Sequence, residues 1–143
     1  MTYYLSLGAN IGTREQTLYE ATHMIEQQIG PVRRCSSLYY SAPWGYESEH
    51  AFCNLCCSVE SGKTPMEVLH LTQDIERTLG RDHKSHIINH KPVYCDRTID
   101  IDIIRIFDAT GKEYCIDSPE LTIPHPLWQE REFVKVPLAE IMP

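Results

Sequence analysis

Hydrophobic and polar side chains alternate strictly over the middle of residues 96–106, and this alternation is the clearest pattern in the chain. Successive side chains of a β-strand point to opposite faces, so Ile99, Ile101 and Ile103 should share one face. Asp100 and Asp102 should share the other face. The pattern therefore predicts a strand that carries two neighbouring carboxylates on one side.

Residues 13–29 have apolar side chains at the spacing of an amphipathic helix. Thr13 and Gln16 are spaced as a capping box, and Gly30 with Pro31 ends the pattern. The positions predicted to be buried are Leu18, Ala21 or Thr22, Ile25 and Ile29. We expect this helix to pack on a sheet.

A second helix is predicted to follow Thr64, which forms a capping box with Glu67 and precedes a proline at the first helical position. Gly62-Lys63-Thr64 resembles part of a Walker motif, but the required upstream glycine position holds Cys57. The predicted buried stripe is Met66, Leu69, Thr72, Ile75 and Leu79, with Gly80 as the stop. Gln73 and Glu76, three residues apart, share another face of this helix.

The remaining segments alternate between short strands and turns. We predict strands at residues 3–7, 32–41 and 51–60, the last two antiparallel, and a tight turn at residues 8–12. Residues 42–50 and 81–94 are predicted loops, and residues 108–112 a turn before a short return strand at 113–115. Residues 121–126 are predicted to be extended and residues 127–133 to form one or two helical turns.

The order of these elements indicates an α+β fold. Strand, helix, strand, strand, helix, strand is typical of a ferredoxin-like βαββαβ antiparallel sheet with helices on one face. A C-terminal extension of hairpin and helical character follows it. Residues 1–143 are predicted to form a single domain, and this fold alone does not indicate a function.

The chain is acidic, with a formal net charge of -7. This balance argues against binding nucleic acid or anionic membranes through bulk charge, so an anionic ligand must meet a local basic cluster. The N-terminus has no charged and apolar leader pattern, and no apolar run approaches membrane-spanning length. We therefore expect a cytoplasmic protein.

Cysteine and histidine spacing suggests metal sites that the predicted elements do not favour. Cys53 and Cys56 are spaced C-x-x-C, but residues three apart in a strand project from opposite faces, so reduced core thiols are expected. His83, His86 and His90 lie in a polar segment without an apolar stripe, which favours a loop over a zinc site.

The two strand aspartates leave two interpretations open. Like charges held side by side repel each other, which favours two hard cations held between them, or one cation and a base role. The alternative is an ordinary surface strand with a solvated acidic face.

Several segments together resemble the 6-hydroxymethyl-7,8-dihydropterin pyrophosphokinase family of folate synthesis, nearly from end to end. The most specific motifs are Arg97-Thr98-Ile99-Asp100-Ile101-Asp102 and Ile123-Pro124-His125-Pro126 in this order. The other matching segments are residues 4–12, 37–45 with 52–54, 73–81, and 121–122 with Arg131 and Phe133.

The resemblance implies transfer of the β,γ-diphosphate of ATP to the hydroxymethyl group of the pterin, with release of AMP. It implies two Mg²⁺ ions bound by Asp100 and Asp102, with ATP as co-substrate. Cations that bridge the polyphosphate oxygens neutralise their charge and align the attack. The implied catalytic residues are Arg81, Arg97, Asp100 and Asp102. The implied ATP-binding residues are Gln73, Glu76, Arg81, Arg97, Ile103, Thr122, His125 and Arg131.

Each implied phosphate contact has an ordinary structural alternative. Arg97 would otherwise form a surface salt bridge, and His125 would be a buried histidine bonded to backbone. Arg131 would face the C-terminal carbonyls of a helix.

A pterin requires a flat slot and a group that reads its amide-like edge. Phe52 and Phe133 would supply aromatic faces, and Asn54, on the same strand face as Phe52, both donates and accepts hydrogen bonds. The resemblance adds Ser41, Ala42 and Trp44 to the pterin pocket, largely through backbone groups. For either phenylalanine taken singly, core packing is the alternative.

Two other functions remain open: a non-catalytic ligand-binding or metal-sensing module, and a nucleotidyl transferase. The expected partners are the small molecules ATP and 6-hydroxymethyl-7,8-dihydropterin. We expect no nucleic acid, no membrane and no obligate protein partner.

Overall fold

The computed structural model describes residues 1–10, 13–41, 51–80 and 99–143. Its strands are β1 Thr2–Ala9, β2 Val32–Cys35, β3 Tyr39–Ser41, β4 Phe52–Glu60, β5 Asp100–Phe107, β6 Ile116–Asp117 and β7 Thr122–Ile123. Its α-helices are α1 Arg14–Gln28, α2 Pro65–Gly80 and α3 Glu132–Ile141, and a 3-10 helix spans Trp128–Glu130. The predicted loops at 42–50 and 81–94, with Ala42, Trp44 and Arg81, lie outside the described residues, as does Arg97.

The main sheet has the strand order β2-β4-β1-β5, and β3 also pairs with β4. All these pairings are antiparallel. With β2 and β3 together in the place of one predicted strand, this is the predicted βαββαβ arrangement. It places β1 in the middle of the sheet and β5 at an edge.

One face of the sheet is covered by α1 and α2. Leu18, Ala21, Ile25 and Ile29 are buried there, as the helical spacing predicted. The isoleucines of β5 at positions 101 and 103 join this main core, which confirms the predicted alternation of the strand. Asp100 and Asp102, which alternate with these isoleucines, therefore face the other side of the sheet.

The other face is partly covered by α3. A second cluster of buried residues joins the sheet to this helix through Tyr4, Cys56, Ile104, Val134, Leu138 and Ile141. The two predicted helices α1 and α2 share one face as expected, and the predicted C-terminal extension supplies α3, which covers part of the other face and has Pro137 inside it. Because α3 covers only part of this face, the remainder is open to form a site.

Several local predictions were wrong. The strand predicted at residues 32–41 is two strands, because Ser36 interrupts the ladder: its hydroxyl accepts a hydrogen bond from the Cys56 backbone N–H at 2.9 Å. The register against β4 also differs on either side of this break. Thr13 makes no side-chain capping bond, and the Gln16 side chain donates to Glu20 rather than reaching back to Thr13.

The burial of α2 differs from its predicted stripe. Val68, Thr72 and Ile75 are the buried residues, whereas Met66 is exposed because it lies in the first turn before the helix meets the sheet. The Thr64 capping box is confirmed. The Thr64 N–H donates to Glu67 Oε1 at 2.9 Å, and the Glu67 N–H donates to Thr64 Oγ1 at 3.2 Å.

The C-terminal third of the chain is organised around β5. The turn at residues 108–112 is confirmed, with Gly111 at a positive φ of 88°. The predicted return strand at 113–115 is reduced to a bridge between Phe107 and Glu113, and the next strand, β6, pairs with β7 instead. In the part of the chain that is described, every helix is too short or too polar to cross a bilayer.

Candidate active site

The candidate site lies on the α3 side of the sheet, at one end of the adjacent strands β4, β1 and β5. Gly8 of β1 pairs with Asn54 of β4 on one side and with Asp100 of β5 on the other. Ser6 of β1 pairs in the same way with Asp102. Directly paired residues of antiparallel strands project to the same face, so the amide and the two carboxylates stand on one surface.

Gly8 is a site residue that sequence analysis missed. We predicted a turn from residue 8, but Gly8 and Ala9 lie within β1. A Cβ atom at Gly8 would lie 2.9 Å from Asn54 Oδ1 and 3.4 Å from a ring carbon of Phe52. A glycine inside a strand often marks such a close approach, and this is the signal that would have identified it.

The side chain of Asn54 is buried and held by two hydrogen bonds. Its Nδ2 donates to the Tyr39 carbonyl and to Ser41 Oγ, both at 2.9 Å. The amide oxygen consequently points toward Gly8. Asn54 therefore presents a fixed acceptor beside the half-buried ring of Phe52, as the predicted pterin slot requires.

Glu76 of α2 reaches the edge of the sheet between the two aspartates. Its Oε2 accepts a hydrogen bond from the Ile101 backbone N–H at 2.8 Å. Burial, together with the nearby charges of Asp100 and Asp102, raises the pKa of Glu76 to about 8. The raised pKa of Glu76 reflects the negative field that Asp100 and Asp102 create at this edge of the sheet. Gln73, on the same helix, is exposed.

This field fits a divalent cation completed by a ligand. Mg²⁺ is usually bound by one or two carboxylates together with waters and substrate phosphates, rather than by a protein cage. Among the described residues, no group of three or more His, Cys, Asp or Glu side chains is arranged to hold a metal by itself. Asp100 and Asp102 thus match the incomplete set of ligands that a polyphosphate would complete.

His125 is held against β5 by its own backbone. Its N–H donates to the Ile104 carbonyl at 2.8 Å, and its Nδ1 accepts the Leu127 N–H at 3.2 Å. Burial and then the charge of Arg131 lower the pKa of His125, whereas Asp100 opposes this shift. The imidazole is therefore neutral at pH 7, with its proton on Nε2, and it lies in the combined field of Arg131 and Asp100.

Arg131 immediately precedes α3. It is also the C-cap residue of the 3-10 helix Trp128–Glu130. Its guanidinium carbon lies 5.9 Å from the ring centroid of Phe133, a half-buried residue in the first turn of α3. Arg131 and Phe133 thus join the polar and the aromatic parts of the site.

Two predicted residues are placed differently from the rest. The side chain of Ile103 is buried in the main core, on the face opposite the aspartates, so only its backbone is available to a ligand on their side. Thr122 is exposed on β7. Cys53 and Cys56 are buried free thiols within β4, as predicted.

Comparison with known proteins identifies the family. A family model described as 7,8-dihydro-6-hydroxymethylpterin-pyrophosphokinase (HPPK) matches residues 4–143. The chain belongs to this pyrophosphokinase family. The resemblance drawn from the sequence motifs is thereby confirmed.

Relatives of the family cover nearly the whole chain. A Porphyromonas gingivalis protein named 2-amino-4-hydroxy-6-hydroxymethyldihydropteridine pyrophosphokinase is 42% identical over 98% of this chain and 90% of its own length. A Bacillus subtilis protein of the same name is 37% identical over 96% of this chain and 76% of its own length.

A solved structure has the same fold. The crystal structure of an HPPK-DHPS protein in complex with substrates superposes with a TM-score of 0.68 and 16% identity. The match covers 99% of this chain and 40% of that longer chain. At this identity the likeness concerns the fold, and it agrees with the ferredoxin-like arrangement described above.

Proposed function

We propose that this chain transfers the β,γ-diphosphate of ATP to the hydroxymethyl group of 6-hydroxymethyl-7,8-dihydropterin and releases AMP, a step of folate biosynthesis. The observation that carries the proposal is the row Asn54–Gly8–Asp100 across three adjacent strands. It joins a fixed hydrogen-bond acceptor for the pterin edge to a carboxylate pair suited to a metal–polyphosphate complex. Membership of the pyrophosphokinase family supports the same reaction.

We propose that Asp100 and Asp102 hold two Mg²⁺ ions together with ATP. When bound, the ions would neutralise the polyphosphate charge and polarise the β-phosphoryl group. Glu76, by accepting the Ile101 N–H, keeps the backbone between the two aspartates in place.

His125, a neutral donor, and Arg131, a cationic donor, would bind the polyphosphate. His125 would donate its Nε2–H to a phosphate oxygen, because its Nδ1 is already an acceptor for Leu127. Arg131 would add a positive charge beside it. We propose that Arg81, Arg97, Gln73, Thr122 and the backbone of Ile103 complete the ATP site.

The pterin would bind on the opposite side of Gly8 from the aspartates. Asn54 Oδ1 would accept a hydrogen bond from the pterin edge, and Phe52 and Phe133 would contact its faces. Ser41, Ala42 and Trp44 are proposed to close this pocket. Holding the hydroxymethyl group and the β-phosphorus in one orientation is the main catalytic contribution of such a site.

The products of the reaction test the proposal. Protein, ATP, Mg²⁺ and the pterin are incubated, and the nucleotides are separated. AMP and a diphosphorylated pterin are expected. ADP would instead indicate a simple kinase, free pyrophosphate a nucleotidyl transferase, and unchanged ATP a binding module.

Asparagine substitutions test the carboxylate pair. Asp100→Asn and Asp102→Asn should each lower kcat by about a hundredfold or more, because each removes charge that holds the nucleotide–metal complex. Thermal unfolding should change little, since neither side chain belongs to the core. Asp108→Asn is the matched control, because Asp108 lies in the turn that follows the other end of β5, away from Asp100 and Asp102. Near-normal turnover in either site variant would contradict the assignment.

We further propose a cytoplasmic location, with ATP and the pterin as the partners of the protein. No obligate protein partner, nucleic acid or membrane is required by this reaction.

A further inference from the structure

Arg105 of β5 lies three residues after Asp102, and the proposed reaction gives it no direct role. Its guanidinium makes two hydrogen bonds to one carboxylate: Nε to Glu113 Oε2 at 2.8 Å and Nη2 to Glu113 Oε1 at 2.9 Å. Only 21% of the Arg105 side chain and 28% of the Glu113 side chain are exposed. A paired contact of this geometry fixes the plane of the guanidinium as well as its position.

The fixed guanidinium contacts two aromatic rings. Its central carbon lies 4.9 Å from the ring centroid of Phe107 and 5.3 Å from that of Trp128. Its Nη1 also lies 3.3 Å from the sulfur of Met142, just beyond α3. Arg105 thus connects β5 to the segment that carries Trp128 and to the end of α3.

Trp128 lies between the two phosphate-binding candidates in the sequence and bonds to both. Its N–H donates to the His125 carbonyl at 3.3 Å, and its carbonyl accepts the Arg131 N–H at 3.4 Å. A shift of Trp128 would therefore move His125 and Arg131 together. Besides the contact with Arg105, the segment is bonded to β5 by the hydrogen bond from the His125 N–H to the Ile104 carbonyl.

We propose that Arg105 is a positioning residue for the segment 125–131. Through its contact with Trp128, it holds His125 and Arg131 over the face of the sheet that carries Asp100 and Asp102. The inference rests on the proposed function, because it takes this segment to bind the polyphosphate of ATP. Asn54 and Phe52 belong to β4, away from this contact, so pterin binding should depend on Arg105 only through Phe133, and much less than ATP binding does.

Two substitutions of Arg105 test the proposal. Arg105→Leu keeps apolar bulk but removes the guanidinium, and Arg105→Lys keeps the charge but removes the planar paired contact. Losing a partly desolvated cation–aromatic contact should raise the KM for ATP, and the Kd of a non-hydrolysable ATP analogue with Mg²⁺, by about tenfold. The KM for the pterin should change by less than about twofold. We expect Arg105→Lys to recover only part of the loss.

Arg33→Leu is the matched control. Arg33 also pairs with a glutamate, Glu60 at 3.2 Å, but both side chains are more than half exposed and far along the sheet from segment 125–131. This variant should leave both KM values unchanged. A spectroscopic readout uses the emission of Trp128 in a Trp44→Phe background, since the chain has two tryptophans. Arg105→Leu should shift that emission, and Arg33→Leu should not.

The outcomes separate this inference from the proposed function. It is overturned if Arg105→Leu behaves like Arg33→Leu, or if ATP and pterin affinities fall in parallel. It is also overturned if His125→Ala and Arg131→Ala leave the Kd of the ATP analogue unchanged, since the segment would then not bind the polyphosphate. If the wild-type protein releases no AMP, the proposed function fails, and the Kd comparison alone decides the role of Arg105.

Discussion

Gly8 occupies the point where the two halves of the site meet. Its neighbours across the strands are Asn54 and Asp100, and it has no side chain to separate them. Asn54 cannot easily yield space, because both hydrogen bonds of its Nδ2 hold the amide in place. Because Gly8 has no Cβ atom, the space beside Asn54 Oδ1 stays open for the proposed pterin slot.

Gly8→Ala should therefore weaken pterin binding selectively. The new Cβ would stand 2.9 Å from Asn54 Oδ1, and moving that oxygen would misalign the acceptor. We expect the KM for the pterin to rise about tenfold or more, with a much smaller change for ATP. Steady-state kinetics with each substrate varied in turn measures both values.

Gly62→Ala is the control for this prediction, because nothing lies within 4 Å of a Cβ atom at Gly62. Equal effects on the two substrates, or no effect on either, would show that Gly8 does not shape the pterin slot.

At the scale of elements, the two main helices begin in different ways. Thr64 and Glu67 exchange hydrogen bonds at the start of α2, whereas Thr13 makes no side-chain bond at the start of α1. Thr64→Ala should lower the free energy of unfolding by about 1 kcal/mol, because it leaves a backbone donor of the first turn without its cap. Thr13→Ala is the matched control and should cost well under half of that. Urea denaturation compares the two, and equal losses would contradict the prediction.

The link between Arg105 and Glu113 joins β5 to the chain that follows its turn. The hydrogen bonds from Arg105 lower the pKa of Glu113 below its ordinary value near 4.5. A carboxyl group with a lowered pKa contributes stability that is present above the ordinary value and is lost as the pH falls through the folded value. This contribution should therefore disappear in acid.

Glu113→Gln should lower the free energy of unfolding by about 1 kcal/mol at pH 7. The difference from the wild type should shrink toward zero at an acidic pH below the lowered pKa of Glu113, where the wild-type carboxylate is itself protonated. Urea denaturation at both pH values measures this difference. Glu60→Gln, in the exposed pair with Arg33, should cost less than about 0.5 kcal/mol at either pH. A difference between wild type and Glu113→Gln that stays constant with pH would rule out the linkage.

For the whole molecule, one sheet separates two cores. Ile25 is buried in the core under α1 and α2, and Leu138 in the smaller one under α3. Because both cores share β1, β4 and β5, we expect them to unfold together in one transition. The site lies beside the smaller core, so its geometry should be lost in the same unfolding transition.

Ile25→Val should cost about 1 kcal/mol of unfolding free energy and Leu138→Ala about 2–4 kcal/mol, because each leaves unfilled volume in a core. The two changes lie on opposite faces of the sheet, so their effects should add to within about 0.5 kcal/mol. Val136→Ala, at an exposed position of α3, is the control and should have little effect. Two separate unfolding transitions by circular dichroism and fluorescence would contradict the shared-sheet prediction.

Local sequence patterns determined much of this protein. The alternation around Asp100 and Asp102, the buried stripe of α1 and the cap at Thr64 all depend on residues within a few positions of each other. The same-face relation of Phe52 and Asn54 was predictable for this reason, since the pleat of a strand repeats every two residues. Family motifs extended the prediction to His125 and Arg131.

Only the tertiary structure decided which distant segments became neighbours. Strand order placed Gly8 between Asn54 and Asp100, and packing placed α3 on the face that the other helices leave open. The contact of Arg105 with Trp128 likewise joins residues that no local pattern connects. Periodicity specifies which way a side chain points within its element, whereas pairing and packing between elements depend on the whole chain and specify what that side chain meets.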